Sequence, residues 1–88
     1  MNKKSNWLSE IDPDILTADG FESAILGYSE RAGGQPAIAV YDTQKCLEVL
    51  IERDGMTEDE AYEYFHFNVV GAWVGEYTPA FITLYGED

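Results

Sequence analysis

The chain has 88 residues, 45% hydrophobic and 25% charged, which suffices for one small domain and excludes a second core. Five Lys and Arg stand against 17 Asp and Glu, a formal net charge of -12, so direct binding to nucleic acid lacks its phosphate-neutralising cations and an anionic membrane surface would repel the protein. Cys46 is the single cysteine and makes no internal disulfide, no apolar run reaches bilayer length, and Trp7-Leu8-Ser9-Glu10 stands where a signal peptide needs its apolar stretch, so a cytoplasmic setting is expected.

Residues 1–18 read as a lead-in segment and residues 19–88 as a single α+β domain. In the lead-in, Asp12-Pro13-Asp14 breaks any helix begun near Trp7. Trp7, Leu8, Ile11, Ile15 and Leu16 are too apolar for a free tail, which places the segment across the core or a partner. Asp19-Gly20-Phe21-Glu22 then reads as a helix cap with an acid in the first turn. Phe21, Ala24, Ile25 and Tyr28 follow the one-face spacing of a helix that Gly33-Gly34 would stop.

Pro36 opens Ala37-Ile38-Ala39-Val40-Tyr41, a short apolar run of strand formers. Asp42 is placed to cap a helix whose inner stripe is Cys46, Leu47, Leu50 and Ile51, with Gln44, Lys45, Glu48 and Glu52 facing water and Gly55 as its end. Thr57-Glu58-Asp59-Glu60 is a capping box, the most specific local signal in the chain. It predicts a further helix from Glu58 to near Trp73, burying Ala61, Tyr64 or Phe65, Asn68 or Val69, and Ala72. Ala80-Phe81-Ile82-Thr83-Leu84-Tyr85 reads as a second strand, before the acidic Gly86-Glu87-Asp88. The expected architecture is therefore α+β in the order α-β-α-α-β, a two-stranded sheet packed against helices, with the two strands paired and their edges open to a partner or a second copy.

Little in the sequence points to catalysis. Glu63 and His66 have the i, i+3 spacing of a metal-binding helix turn, yet His66 is the only histidine, and two ligands do not make a site. Cys46 and His66 offer a nucleophile and a base, but Cys46 falls on an inner helical stripe, where a thiol acts as a small hydrophobe, and spacing places no third group or oxyanion loop beside them. Gly33-Gly34 and Gly71-Ala72-Trp73-Val74-Gly75 match neither the dinucleotide fingerprint nor the phosphate loop. Tyr62, Tyr64, Phe65, Phe67 and Trp73 sit in an acidic helix that could not serve as a base-stacking platform, and they read mostly as core. No cofactor, no metal and no enzymatic activity are expected.

The acids carry the functional signal. Glu58, Asp59, Glu60 and Glu63 crowd one helix start, tolerating mutual repulsion, and could engage a basic surface on another protein with Tyr62 as an aromatic anchor. These five residues are the expected contacts. The alternative is a homo-oligomer held by sheet edges and aromatics, without a basic partner.

The run Glu63-Tyr64-Phe65, Phe67-Asn68-Val69, Gly71-Ala72-Trp73-Val74-Gly75-Glu76 and Thr78-Pro79-Ala80-Phe81, with Gly20-Phe21-Glu22 and Ala39-Val40-Tyr41-Asp42 before it, resembles a family of small acidic proteins encoded by bacteriophages and prophages. The likeness extends from Asp19 to Ile82 and leaves out the lead-in. It implies a phage setting in the cytoplasm of a bacterial host and carries no catalytic residue. In that setting the expectation is an accessory protein that blocks a host nucleic-acid enzyme, as anti-restriction and anti-CRISPR inhibitors do. Its competitor is a regulatory or structural phage homo-oligomer.

Overall fold

Pro13 does end a helix: in the computed structural model, which describes residues 3–86, α1 spans Lys3–Ile11 and stops at the Asp12-Pro13 step. Met1-Asn2 and the acidic Glu87-Asp88 lie outside the described residues. The chain then turns on Asp12, whose backbone N–H donates to the Leu8 carbonyl at 3.1 Å and whose Oδ1 accepts from the Asp14 N–H at 2.9 Å. Leu8 and Ile15 enter the core, and Trp7 leans on the Tyr28 ring with centroids 5.6 Å apart. Leu8 and Ile15 thus pin the lead-in to the core, while Trp7, Ile11 and Leu16 stay exposed.

The helix expected from Phe21 to Gly33 is absent, and the sheet gains a strand in its place. Glu22–Ala24 forms one 3-10 turn, and β1 follows over Ile25–Arg31, paired antiparallel with β2, Gln35–Asp42. The helical spacing misleads for a physical reason. The 3-10 turn repeats every three residues, and a bulge between Ile25 and Gly27 shifts the strand register by one. Ile25 opposite Tyr41 and Tyr28 opposite Ala39, three residues apart, therefore point to the same buried face. Gly33-Gly34, expected to stop a helix, instead turns the hairpin with φ of 85° and 75°, a conformation that residues with a Cβ adopt at a cost.

β2 is the central strand, and its last five residues are buried. Its final residue, Asp42, caps α2, Thr43–Asp54, by accepting from the N–H groups of Gln44 and Lys45. Cys46 and Leu50 are fully buried with Leu47 and Ile51 packed at their sides, while Gln44, Lys45, Glu48 and Glu52 are exposed, as the stripe required. Gly55 ends the helix in the left-handed region, its N–H reaching the Ile51 and Leu50 carbonyls. The capping box then starts α3, Glu58–Tyr64, which continues as a wider π-helical turn over Phe65–Val70.

β3 returns as Ala80–Ile82 and pairs parallel with β2, Val40 to Ala80 through Asp42 to Ile82. α2 and α3 supply the crossover that parallel strands require. The fold is α+β with order α-β-β-α-α-β and a three-stranded mixed sheet β1-β2-β3, which corrects the two-stranded sheet and the α-β-α-α-β order. The second strand is also shorter than expected. Beyond Asp42 the central strand has become α2, so Thr83, Leu84 and Tyr85 find no ladder partner.

Two polar ties close the structure around the core. The Arg31 guanidinium donates to the carbonyls of Pro36 at 2.9 Å and Glu76 at 3.0 Å, fastening the hairpin to residues 71–79. Arg53 donates to the Gly20 carbonyl at 3.0 Å and lies over the Phe21 ring at 5.6 Å, fastening the end of α2 to the turn before β1.

Candidate functional site

The exposed side of α3 is built from its cap outward. Thr57 Oγ1 accepts from the Glu60 N–H at 3.2 Å, and the Glu60 carboxylate accepts from the Thr57 N–H at 2.9 Å. Glu58, Asp59 and Glu60 therefore lie in the first helical turn, where the aligned backbone amides favour negative charge. Thr57→Ala should cost about 1 kcal/mol by stripping the Glu60 amide of its acceptor. Urea melts would show it as a lower midpoint at unchanged slope, and Thr57→Ser should recover most of the loss.

Ala61 and Phe65 are fully buried and Val69 is half-buried, so one narrow stripe at four-residue spacing holds the helix to the core. Everything else on α3 faces outward. Tyr62 is 58% exposed and stacks on His66 with centroids 4.2 Å apart, and Phe67 is 84% exposed. Tyr64 and Asn68, each one of two expected core choices, lie on the exposed side, as does Ala72. The core positions are Phe65 and Val69.

The π-helical turn adds its own constraint. His66 Nδ1–H donates to the Tyr62 carbonyl at 3.0 Å, and Asn68 Nδ2 donates to the Tyr64 carbonyl at 3.3 Å. Both side chains thus bond carbonyls one turn back, and the Gly71 N–H reaches the His66 carbonyl at 3.1 Å, five residues back. No residue in Phe65-His66-Phe67-Asn68 announces this widening in the sequence.

The five expected contact residues are all exposed, but they do not share one face. Glu58, Asp59 and Tyr62 border a hollow against α2, with Leu47 and Ile51 at its floor. Glu60 and Glu63 border the opposite hollow, with Met56, Tyr64 and Phe67. Glu60 is also held by its cap, so its charge is fixed in place while the other carboxylates are free of hydrogen bonds to the backbone cap. Among the described residues the ion pair is Arg53 with Asp54 at 2.9 Å, and none of the four α3 carboxylates belongs to it. That hydrogen-bonded guanidinium holds the Asp54 carboxyl below its usual range.

The groups with catalytic potential are otherwise occupied. Cys46 is fully buried, and burial first, then the nearby Asp42 charge, pushes its thiol up to about 12, so it stays protonated and packs as a hydrophobe. His66 commits Nδ1 to its own helix. Among the described residues no three His, Cys, Asp or Glu side chains converge as a metal site, and no helix is long and apolar enough to cross a membrane. Comparison with family models, curated proteins and solved structures returns no match for this chain.

Proposed function

We propose that this chain is a non-enzymatic phage accessory protein that binds another protein through the carboxylate-rich start of α3, with a basic, nucleic-acid-handling host enzyme as the partner class. The observation that carries this reading is the exposure of Glu58, Asp59, Glu60 and Glu63 beside the exposed rings of Tyr62, Tyr64 and Phe67. Carboxylates steer a basic partner, and the rings supply area that association removes from water. The phage setting comes from the sequence likeness alone.

The test compares wild type with Glu58→Lys/Asp59→Lys/Glu63→Lys as bait in bacterial lysate, leaving Glu60 in place because its loss would break the cap. Retention of one host protein by wild type should fall about tenfold or more in the variant, and should fall as salt rises to about 0.5 M, where screening shortens to a few ångströms. Circular dichroism checks that the variant folds. Equal retention by both proteins, or retention indifferent to salt, would remove the carboxylates from the contact.

The homo-oligomeric reading rests on the open edge of β1. That edge is poorly suited to a continuous ladder, since the strand changes register twice, between Ile25 and Gly27 and between Ser29 and Arg31, and displays Glu30. Light scattering giving a dimer mass at micromolar concentration would revive it.

A further inference from the structure

Both sides of α3 carry apolar surface, and one of them faces Met56, the end of the lead-in and residues 71–79. There a hollow of about 460 Å³ lies against Met56, Tyr64 and Phe67. A second, of about 540 Å³, lies against Leu16, Phe21, Val69, Val74 and Phe81. Tyr64 and Asn68 line both, so they stand as a ridge between two adjoining hollows, which together make a groove between α3, the end of the lead-in and residues 71–79. Phe67 and Val74, 84% and 63% exposed, stand on its walls.

The ionised side chains that line it are acidic, and the nearby cation, Arg53 over the Phe21 ring, is bonded to Asp54. Glu60, Glu63 and Asp54 border the first hollow and Asp19 the second, and no lysine or arginine lines either. Arg53 neutralises Asp54, which leaves Glu60 and Glu63 at one end and Asp19 at the other. An apolar floor between acidic ends selects its occupant. A second copy of this chain, with a net charge of -12, would bring carboxylates against carboxylates, and an anionic lipid or nucleic acid would meet the same repulsion.

We infer that a cationic amphipathic segment of another protein docks in this groove, its apolar side chains against Tyr64, Phe67 and Val74 and its Lys or Arg side chains against Glu60, Glu63 and Asp19. The inference rests on the reading of α3 as the contact element and goes further by naming the side used and the form of the partner. In this mode the apolar anchors set affinity and the acidic ends set orientation. Tyr62, on the other side of α3, lies outside this groove.

The probe is a synthetic peptide with Leu and Lys at helical spacing, titrated into the full-length, nitrogen-15-labelled protein and followed by amide chemical shifts. Two control peptides replace Leu by Ser or Lys by Glu. Saturable shifts should centre on Tyr64, Phe67, Asn68, Val69 and Val74, and Phe67→Ser should weaken binding about tenfold while its spectrum stays folded, since Phe67 contributes nothing to the core. Leu84→Ser, exposed and outside the groove, should bind as wild type does. Shifts confined to Glu58, Asp59 and Tyr62 would overturn the groove and leave the acidic reading of α3 standing. So would equal binding of the Ser/Lys peptide, or an unchanged affinity in Phe67→Ser. Binding of the Leu/Glu peptide as tightly as the Leu/Lys one would overturn the charge selection, and no shift with either cationic peptide would overturn both readings. Concentration-dependent broadening at the groove residues without peptide would assign the groove to a second copy.

Discussion

Phe65→Ala should cost about 3 to 5 kcal/mol of folding free energy, the range for removing a fully buried aromatic ring. Phe65 has no exposed surface and meets Phe81 edge to face, centroids 5.3 Å apart at 90°. Phe81 belongs to β3, which has three residues and three ladder pairs, so the ring contact supplies much of what keeps that strand in the sheet. A domain near the lower size limit has a stability on the order of 5 kcal/mol, so the variant should be largely unfolded. Urea denaturation measures it, or, if no native baseline remains, the loss of amide dispersion does. A cost below about 1 kcal/mol would mean that the core closes over the gap, contrary to the close packing assigned to it. Because Phe65 also sets the angle at which Glu63, Tyr64 and Phe67 leave the helix, its loss would abolish binding without touching a partner, which is why the binding tests use exposed positions.

What could be read in the sequence divides along a physical line. Caps are local: Asp42, Gly55 and the Thr57–Glu60 box each act within a few residues, and α2 and the start of α3 stand where those signals put them. The apolar run before Asp42 needed only its composition to be read as a strand. β1 failed because its periodicity is a product of its pairing, since the bulge that sets Ile25 and Tyr28 on one face exists only opposite β2. The length of β3 failed for a related reason, its end being set by the conversion of β2 into α2 about forty residues earlier and not by any residue of its own.

The site shows the same division. Four carboxylates at a helix start are visible as composition, and all four are exposed. That they straddle the helix, two to each side, follows from the direction of the Ala61-Phe65-Val69 stripe, which depends on what the helix packs against. Aromatic content puts Phe67 in the core, and helical spacing offers Tyr64 there as the alternative to Phe65. The stripe at four-residue spacing leaves them no room there, and that spacing is the signal that would have separated them from Phe65.

Tyr41 offers the second large effect, and one that pH can dissect. Its side chain is fully buried, its ring lies 5.3 Å from that of Phe81, and its hydroxyl oxygen accepts the Ala18 N–H at 2.7 Å. Tyr41→Ala should cost about 3 to 5 kcal/mol for the ring, whereas Tyr41→Phe keeps the packing and strands the Ala18 amide, a loss of about 1 to 3 kcal/mol. Burial pushes the phenol above its ordinary value, the Ala18 N–H opposes that shift, and the nearby Glu22 and Asp19 charges reinforce it. A folded-state pKa raised above the unfolded one means that the unfolded chain releases its proton first, so this contribution is whole below about pH 10 and is lost as pH climbs through the folded value. The gap in stability between wild type and Tyr41→Phe should therefore be constant from neutral pH to about pH 9 and narrow above about pH 10. Tyr77, whose hydroxyl is also raised, chiefly by desolvation and then by Asp12, titrates alike in both proteins and drops out of the difference. Urea melts of the pair across that range read the gap directly. A gap that stayed constant through pH 11 would mean that the Tyr41 hydroxyl reaches water in the folded protein, and that the Ala18 hydrogen bond lies at the surface instead of sealing the lead-in onto the core.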